Sequence, residues 1–140
     1  MDWYKETLKI STQGKGLYPF SDMINARLKN WSVIEGMCFL YIPHCSASLV
    51  INENYDPTAR RDMEELFEQL IPEGQAWYAH IVEGSDDSPA HLRAMITPVS
   101  LSIPIDDGSL SLGTWQGIYL AEHRQRTQTR QVFMRVLAVL

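Results

Sequence analysis

The segment Gly36-Met37-Cys38-Phe39-Leu40-Tyr41-Ile42 is apolar from end to end and is stopped by Pro43, and no other stretch constrains the fold as strongly. A short continuous apolar run of this kind predicts a central strand buried on both faces. A second strand, Ala47 to Ile51, follows at once. Trp3 to Ile10 alternates, with Tyr4, Glu6, Leu8 and Ile10 on one side and Trp3, Lys5, Thr7 and Lys9 on the other, as an edge or half-buried strand does. Further strands are predicted at Ala76 to Val82, Val99 to Ile105, Gly117 to Glu122 and Gln131 to Val139, with Asp107-Gly108 supplying a turn.

Helix signals are fewer. Asp56-Pro57 is an N-cap acid followed by proline at the first helical position, and Met63, Leu66, Phe67 and Leu70 follow at helical spacing until Pro72 and Gly74 stop them. Ser21-Asp22 is read as the cap of a helix carrying Met23, Ile24 and Leu28 and ending near Asn30-Trp31. Ser88-Pro89 repeats the cap-then-proline pattern before a short helix with His91, Leu92 and Met95. Strands outnumber helices and short turns join several of them. The expected class is α+β: mostly antiparallel sheets with two main helices and one short helix, in a single domain over residues 1–140.

Composition removes several functions. Twelve Lys+Arg against seventeen Asp+Glu leave a charge of −5, a field that repels nucleic acid. No apolar run approaches the roughly 18 residues that span a bilayer. The start, Met1-Asp2-Trp3-Tyr4-Lys5-Glu6, shows neither a signal peptide nor an anchor, so the expected address is the cytoplasm, without a membrane partner. Cys38 and Cys45 lie seven apart, with Cys38 in a predicted strand, and an extended chain at about 3.3 Å per residue keeps them beyond disulfide reach. Both are expected as reduced, packed thiols.

Ionisable residues gather at the ends of the apolar segments, where sites are commonly built: His44 after a strand, Asn52 to Asp56 before a helix, His80 within a predicted strand, and Glu83 through His91. Three imidazoles, or two with a carboxylate, suit a transition metal with an open position. The 36- and 11-residue gaps between His44, His80 and His91 leave two readings open, a joint metal site or separate histidines bonded at sheet edges. Glu83, Asp86 and Asp87 are either a hard-cation site, with Mg²⁺ against a phosphate, or a solvated loop. Asp56 and Ser88 are read as helix caps. Gly113-Thr114-Trp115-Gln116-Gly117 offers stacking and hydrogen bonds to a planar heterocycle, or forms a strand bulge. The stretch from Glu122 to Arg130 reads as a solvated hairpin tip, whose arginines otherwise bind an anion. A Cys45/His44 nucleophile is disfavoured, because neighbours on a strand face opposite ways.

Read together, His44-Cys45-Ser46-Ala47-Ser48-Leu49, Asn52-Glu53-Asn54 with Asp56-Pro57, and Arg61-Asp62 resemble the signature of the YjbQ-like family, also known as secondary thiamine-phosphate synthase. His80, Glu83-Gly84 with Asp86-Asp87, Pro89-Ala90-His91, Ile103-Pro104, Gly113 to Gly117 and Glu122-His123-Arg124 continue the resemblance in order over nearly the whole chain. Two departures stand out: Cys45 replaces a usual threonine, and Pro98 a usual glycine.

The resemblance implies a compact α+β homotrimer with a cleft in which His44, His80 and His91 hold a divalent metal, with zinc expected. It places Glu53, Asp87 and Gln116 at catalytic positions, Glu53 as general base or partner of a ligand. Asn52, Trp115, Arg124 and Arg130 are the expected substrate-binding residues. The implied activity joins hydroxymethylpyrimidine diphosphate to thiazole phosphate with release of pyrophosphate, and Mg²⁺ is expected to accompany the diphosphate. The family name calls that activity secondary, so two alternatives stay open: a metal-dependent hydrolase of a small phosphorylated or amide substrate, and a non-catalytic trimer that binds a small ligand.

Overall fold

A computed structural model describes all residues, 1–140. In chain order the elements are β1 (Asp2–Gln13), β2 (Gly16–Pro19), α1 (Ser21–Asn30), β3 (Gly36–Tyr41), β4 (Ala47–Glu53), α2 (Pro57–Leu70), α3 (Asp87–Met95), β5 (Ser100–Asp106), β6 (Ser109–Leu110), β7 (Gln116–Glu122) and β8 (Thr127–Ala138). They form a five-stranded sheet, β1-β8-β3-β5-β6, and a three-stranded sheet, β2-β7-β4. Every pairing is antiparallel. The expected α+β class with antiparallel sheets and three helices is therefore the fold observed.

The sheets and α1 share one core. Alternation along β1 turns Leu8 and Ile10 inward, and Val132, Met134 and Val136 of β8 meet them from the neighbouring strand. Leu49 of β4, Ile118 and Leu120 of β7, and Ile24 and Leu28 of α1 complete the same cluster. Burial of such side chains stabilises by about 1.5–3 kcal/mol each. Asp56 caps α2 as its sequence predicts, accepting from the Thr58 N–H at 2.9 Å. Asp107 and Gly108 take φ of 51° and 84°, the left-handed pair that a two-residue hairpin requires, and connect β5 to β6.

Six expectations need correction. The apolar run of β3 is buried on one face only: Cys38 and Leu40 point into the core, while Phe39 and Tyr41 are 38% and 47% exposed. No helix covers the outer face of the large sheet, so the run builds an apolar outer surface where Tyr41 stacks on Phe133. Residues 76–82 form turns instead of a strand. Trp77 packs edge-on against Tyr78, whose hydroxyl donates to the Pro72 carbonyl at 2.6 Å, so the segment folds on itself. Helix α3 starts at Asp87, which places Ser88 inside its first turn and not at the cap. Helix α1 has Phe20 at its cap position, and the Ser21 hydroxyl instead accepts from the Ile118 N–H.

The fifth correction concerns residues 122–130. Gln125 to Thr127 are exposed, but the segment is not a hairpin tip, because β7 and β8 belong to different sheets and their connection crosses between layers. Glu122, His123 and Arg130 are buried there. Both thiols are free as expected, and a sixth correction is that only Cys38 is packed, since Cys45 is exposed. No helix is long and apolar enough to cross a membrane.

Candidate metal centre

Helix α3 places Asp87 and His91 one turn apart on the same face, four residues being the spacing that stacks side chains along a helix. The turns after α2 bring His80 to the same point. Asp87 Oδ2 lies 2.6 Å from His80 Nε2 and 3.0 Å from His91 Nε2. The two nitrogens and the carboxylate all lie within 4.8 Å of one another. The imidazoles remain open to solvent, with His80 48% and His91 36% exposed, while Asp87 is buried beneath them.

The other face of each group is fixed by the protein. His91 Nδ1 lies 2.9 Å from the Cys45 carbonyl, which only accepts, so the ring proton sits on Nδ1. A neutral His91 therefore turns the Nε2 lone pair toward the Asp87 carboxylate. Two electron-rich atoms at 3.0 Å require a cation on or between them, a proton or a metal ion. A ring N–H on a backbone carbonyl is also the arrangement that orients metal-ligating histidines. The donor set of two imidazoles and one carboxylate suits a borderline-soft ion such as zinc and leaves positions open.

Arg124, from the β7–β8 connection, holds the opposite side of the carboxylate pair. Its Nε donates to Asp86 Oδ2 at 2.9 Å, one terminal nitrogen to Asp87 Oδ1, and the other to the Glu83 carbonyl at 3.2 Å. Burial pushes the Asp87 carboxyl up, but the His80 hydrogen bond, the charge of His91 when a proton occupies its Nε2, and the Arg124 charge outweigh it and hold the group below its usual range. The balance at Asp86 is similar: burial raises it, and the Gln125 N–H and Arg124 bring it down further. The three-carboxylate Mg²⁺ reading of Glu83, Asp86 and Asp87 is not assembled: Arg124 bridges the two aspartates, offsetting one of their two charges, and Glu83 contributes its carbonyl, not its carboxylate.

The remaining sequence candidates lie elsewhere. His44 is separate from the cluster: its Nε2 accepts the Gln131 N–H at 2.9 Å. It precedes Cys45, whose carbonyl serves His91, in the bend that leads into β4. Arg130 is ion-paired with Glu122 and bonded to Ser46 Oγ at 2.9 Å, buried and out of reach of an external anion. Asn52, Glu53, Trp115 and Gln116 form a second locality at the far end of β4. Glu53 accepts the Tyr55 and Asp56 N–H groups, both at 3.1 Å. Asn52 Oδ1 accepts the Glu53 N–H, and Gln116 Oε1 closes a turn on the Gly113 N–H at 2.8 Å. The Trp115 ring rests on Tyr55 with centroids 5.0 Å apart. Six residue steps from Ala47 to Glu53 put this locality roughly 20 Å from the Cys45 end of the strand.

Sequence reasoning missed the Cys45 carbonyl and a buried polar chain behind the site. Thr97 Oγ1 lies 2.7 Å from the Arg93 carbonyl and 2.6 Å from Ser48 Oγ, and Ser48 Oγ is 2.9 Å from His123 Nε2. A carbonyl accepts only, so Thr97 donates to it and Ser48 donates to Thr97. His123 must then donate through Nε2–H, which fixes its neutral tautomer. Burial and the nearby Arg93 charge lower its pKa to about 3. A serine-then-histidine pattern separated by 75 residues carries no sequence signal for this contact.

Residues 6–139 match the family described as UPF0047 protein YjbQ-like. The UPF0047 protein sll1880 of Synechocystis is 47% identical over 133 residues, covering 95% of this chain and 90% of that protein. UPF0047 protein YjbQ of Salmonella typhimurium is 42% identical over 93% of this chain and 94% of its own. Among solved structures, the conserved hypothetical protein TT1486 of Thermus thermophilus superposes with a TM-score of 0.85 at 31% identity, covering 94% of this chain and 99% of that one. By matched residues, identity and fold, the chain belongs to the YjbQ-like, UPF0047 family.

Proposed function

We propose that this protein is a metal-dependent enzyme acting on a small phosphorylated substrate at His80, Asp87 and His91. The observation that carries this reading is the His91 ring, fixed by the Cys45 carbonyl so that Nε2 presents a lone pair to the Asp87 oxygen shared with His80. When bound, zinc supplies a Lewis acid that polarises a phosphoryl oxygen, with magnesium accompanying a diphosphate substrate. The exposed imidazole edges let substrate approach, and the buried Asp87 keeps its charge at neutral pH. The reaction we assign is the one the family resemblance implies, union of hydroxymethylpyrimidine diphosphate with thiazole phosphate, carried out slowly in the cytoplasm.

That reaction needs a platform for the planar pyrimidine, and Trp115 with Asn52 stands at the far end of β4 from the metal centre. We therefore place the reaction in a homotrimer in which the Glu53–Trp115 end of one copy meets the metal centre of the next. The uncovered outer face of the large sheet, with Trp3, Phe39, Tyr41 and Phe133, gives the copies apolar surface to bury. The same separation favours the second reading, a one-substrate hydrolase, because a single protomer offers the metal centre without the platform.

The test supplies both phosphorylated precursors to zinc-loaded protein and follows thiamine phosphate together with pyrophosphate. Loss of both products in Asp87→Ala supports the transferase. Phosphate released from one precursor alone supports the hydrolase. Products formed equally by wild type and Asp87→Ala remove the enzyme reading.

A further inference from the structure

We infer that Arg124 is a positioning residue that sets the metal centre by anchoring Asp87, and that it does not bind the substrate's phosphate. The inference rests on the metal-centre reading above. All three guanidinium nitrogens are engaged by acceptors of this chain: Asp86 Oδ2, Asp87 Oδ1 and the Glu83 carbonyl. The side chain is largely covered, 13% exposed, and three of its five N–H donors already serve this chain, so the fork is aimed at the aspartates and not at an incoming anion.

The two oxygens of Asp87 have divided roles. Oδ1 is held by Arg124, and Oδ2 faces both imidazoles. Fixing one oxygen fixes the carboxylate plane, and with it the direction in which Oδ2 meets a cation. Arg124 also spans the tight 83–87 turn, where Gly84 adopts φ of 106° and a Cβ would lie 3.1 Å from Asp86 Oδ1. The anchor is itself anchored. The Arg124 N–H donates to Glu122 Oε2 at 3.1 Å, and Glu122 is held by Arg130 and by the Thr12 hydroxyl at 2.6 Å in the interior. The neighbouring Gln125 continues the clasp: its N–H binds Asp86 Oδ2 at 2.8 Å, and its side-chain amide binds Glu73 at 2.8 Å. Glu73 also receives the Ser85 hydroxyl within the irregular 71–86 segment that carries His80, and that segment is tied to the 122–125 connection at Glu73, Glu83 and Asp86.

A point charge on a flexible stem cannot reproduce this fork, so Lys at position 124 keeps the charge and loses the geometry. The experiment measures zinc affinity of the full-length protein by competition with a chromophoric chelator, for wild type, Arg124→Lys and Arg124→Gln. Pyrophosphate binding to the zinc-loaded forms is measured alongside. Losing an outer partner of a ligand typically weakens metal binding about 10–100-fold. The expected result is a loss of that size in Arg124→Gln and a smaller one in Arg124→Lys, with pyrophosphate affinity of the loaded forms within about twofold of wild type. Should Arg124→Gln fail to fold, Arg124→Lys alone carries the comparison. Wild-type zinc affinity in both variants, or zinc affinity kept while pyrophosphate binding is lost, overturns the inference and leaves the metal centre standing. A wild-type protein that takes up no zinc removes the metal-centre reading and this inference with it.

Discussion

His123 should make this protein lose stability on mild acidification, before any carboxylate titrates. Its folded pKa of about 3 lies below the ordinary histidine value of 6.5, because burial and the Arg93 charge oppose a second proton. For a base depressed in this way, the unfolded chain binds more protons between the two values, so stability falls as pH drops through that window. Between pH 7 and pH 5 the unfolded imidazole becomes almost fully protonated while the folded one stays neutral, which costs about 2 kcal/mol at 1.36 kcal/mol per unit. Asp86, Asp87 and Glu122 have depressed folded values, so their contribution persists until pH falls below the carboxylate range. His44, His80 and His91 are common to wild type and variant and cancel in the difference. The perturbation is His123→Gln, whose amide donates to Ser48 as Nε2–H does but does not titrate. Urea unfolding followed by tryptophan fluorescence at pH 7 and pH 5 should show wild type losing about 2 kcal/mol more than the variant over the interval. Equal losses in the two proteins would refute the argument that His123 is held neutral by its surroundings.

Two further outcomes follow from the geometry. His91→Ala should abolish stoichiometric zinc and His44→Ala should leave it unchanged, measured as metal per chain after metal-replete purification, because only the first lies in the donor set. Gly36→Ala should lower stability by about 1–3 kcal/mol or more in the same urea assay, since a Cβ there would lie 2.0 Å from the Leu137 carbonyl oxygen and force β3 away from β8.

Local signals were legible where a local rule decides the structure. Asp56-Pro57 and Asp107-Gly108 each specify a backbone conformation within a few residues, and both appear where they are expected. The alternation of Trp3 to Ile10 likewise places β1 at the sheet edge. Failures occurred where the outcome depends on what lies across the layer. Nothing in Phe39 or Tyr41 says whether a helix will cover them, and none does. Glu122 to Arg130 has the composition of a surface turn, yet it crosses between sheets, where Thr12 and Ser46 supply partners 110 and 84 residues away in sequence. The metal centre was half legible. His80, Asp87 and His91 all stood among the candidates, but the choice of Asp87 over His44 as third donor depends on the chain before β4 pairing His44 with the Gln131 N–H of β8. Histidine count alone does not hold that information.

The two localities at opposite ends of β4 permit a test that separates the transferase reading from its alternative. If the metal centre of one copy works with Glu53 of the next, then His91→Ala and Glu53→Gln damage different halves of every shared site. Glu53 is outside the donor set, so Glu53→Gln should retain full zinc while turnover falls. Each variant alone should be nearly inactive. When the two are unfolded together and refolded at equal amounts, a closed ring of three copies has three sites, each needing an intact His91 from one copy and an intact Glu53 from its neighbour. With random assembly each condition is met half the time, so about a quarter of the sites should be whole, and activity should return to about a quarter of wild type. A hydrolase complete within one protomer gives a different pattern: Glu53→Gln stays active by itself, and mixing gives the plain average of the two preparations. Light scattering on the same samples fixes the copy number. A monomer, or a mixture that never exceeds its components, rules out the shared site and with it the route by which Trp115 and Asn52 reach the metal-bearing end of the strand.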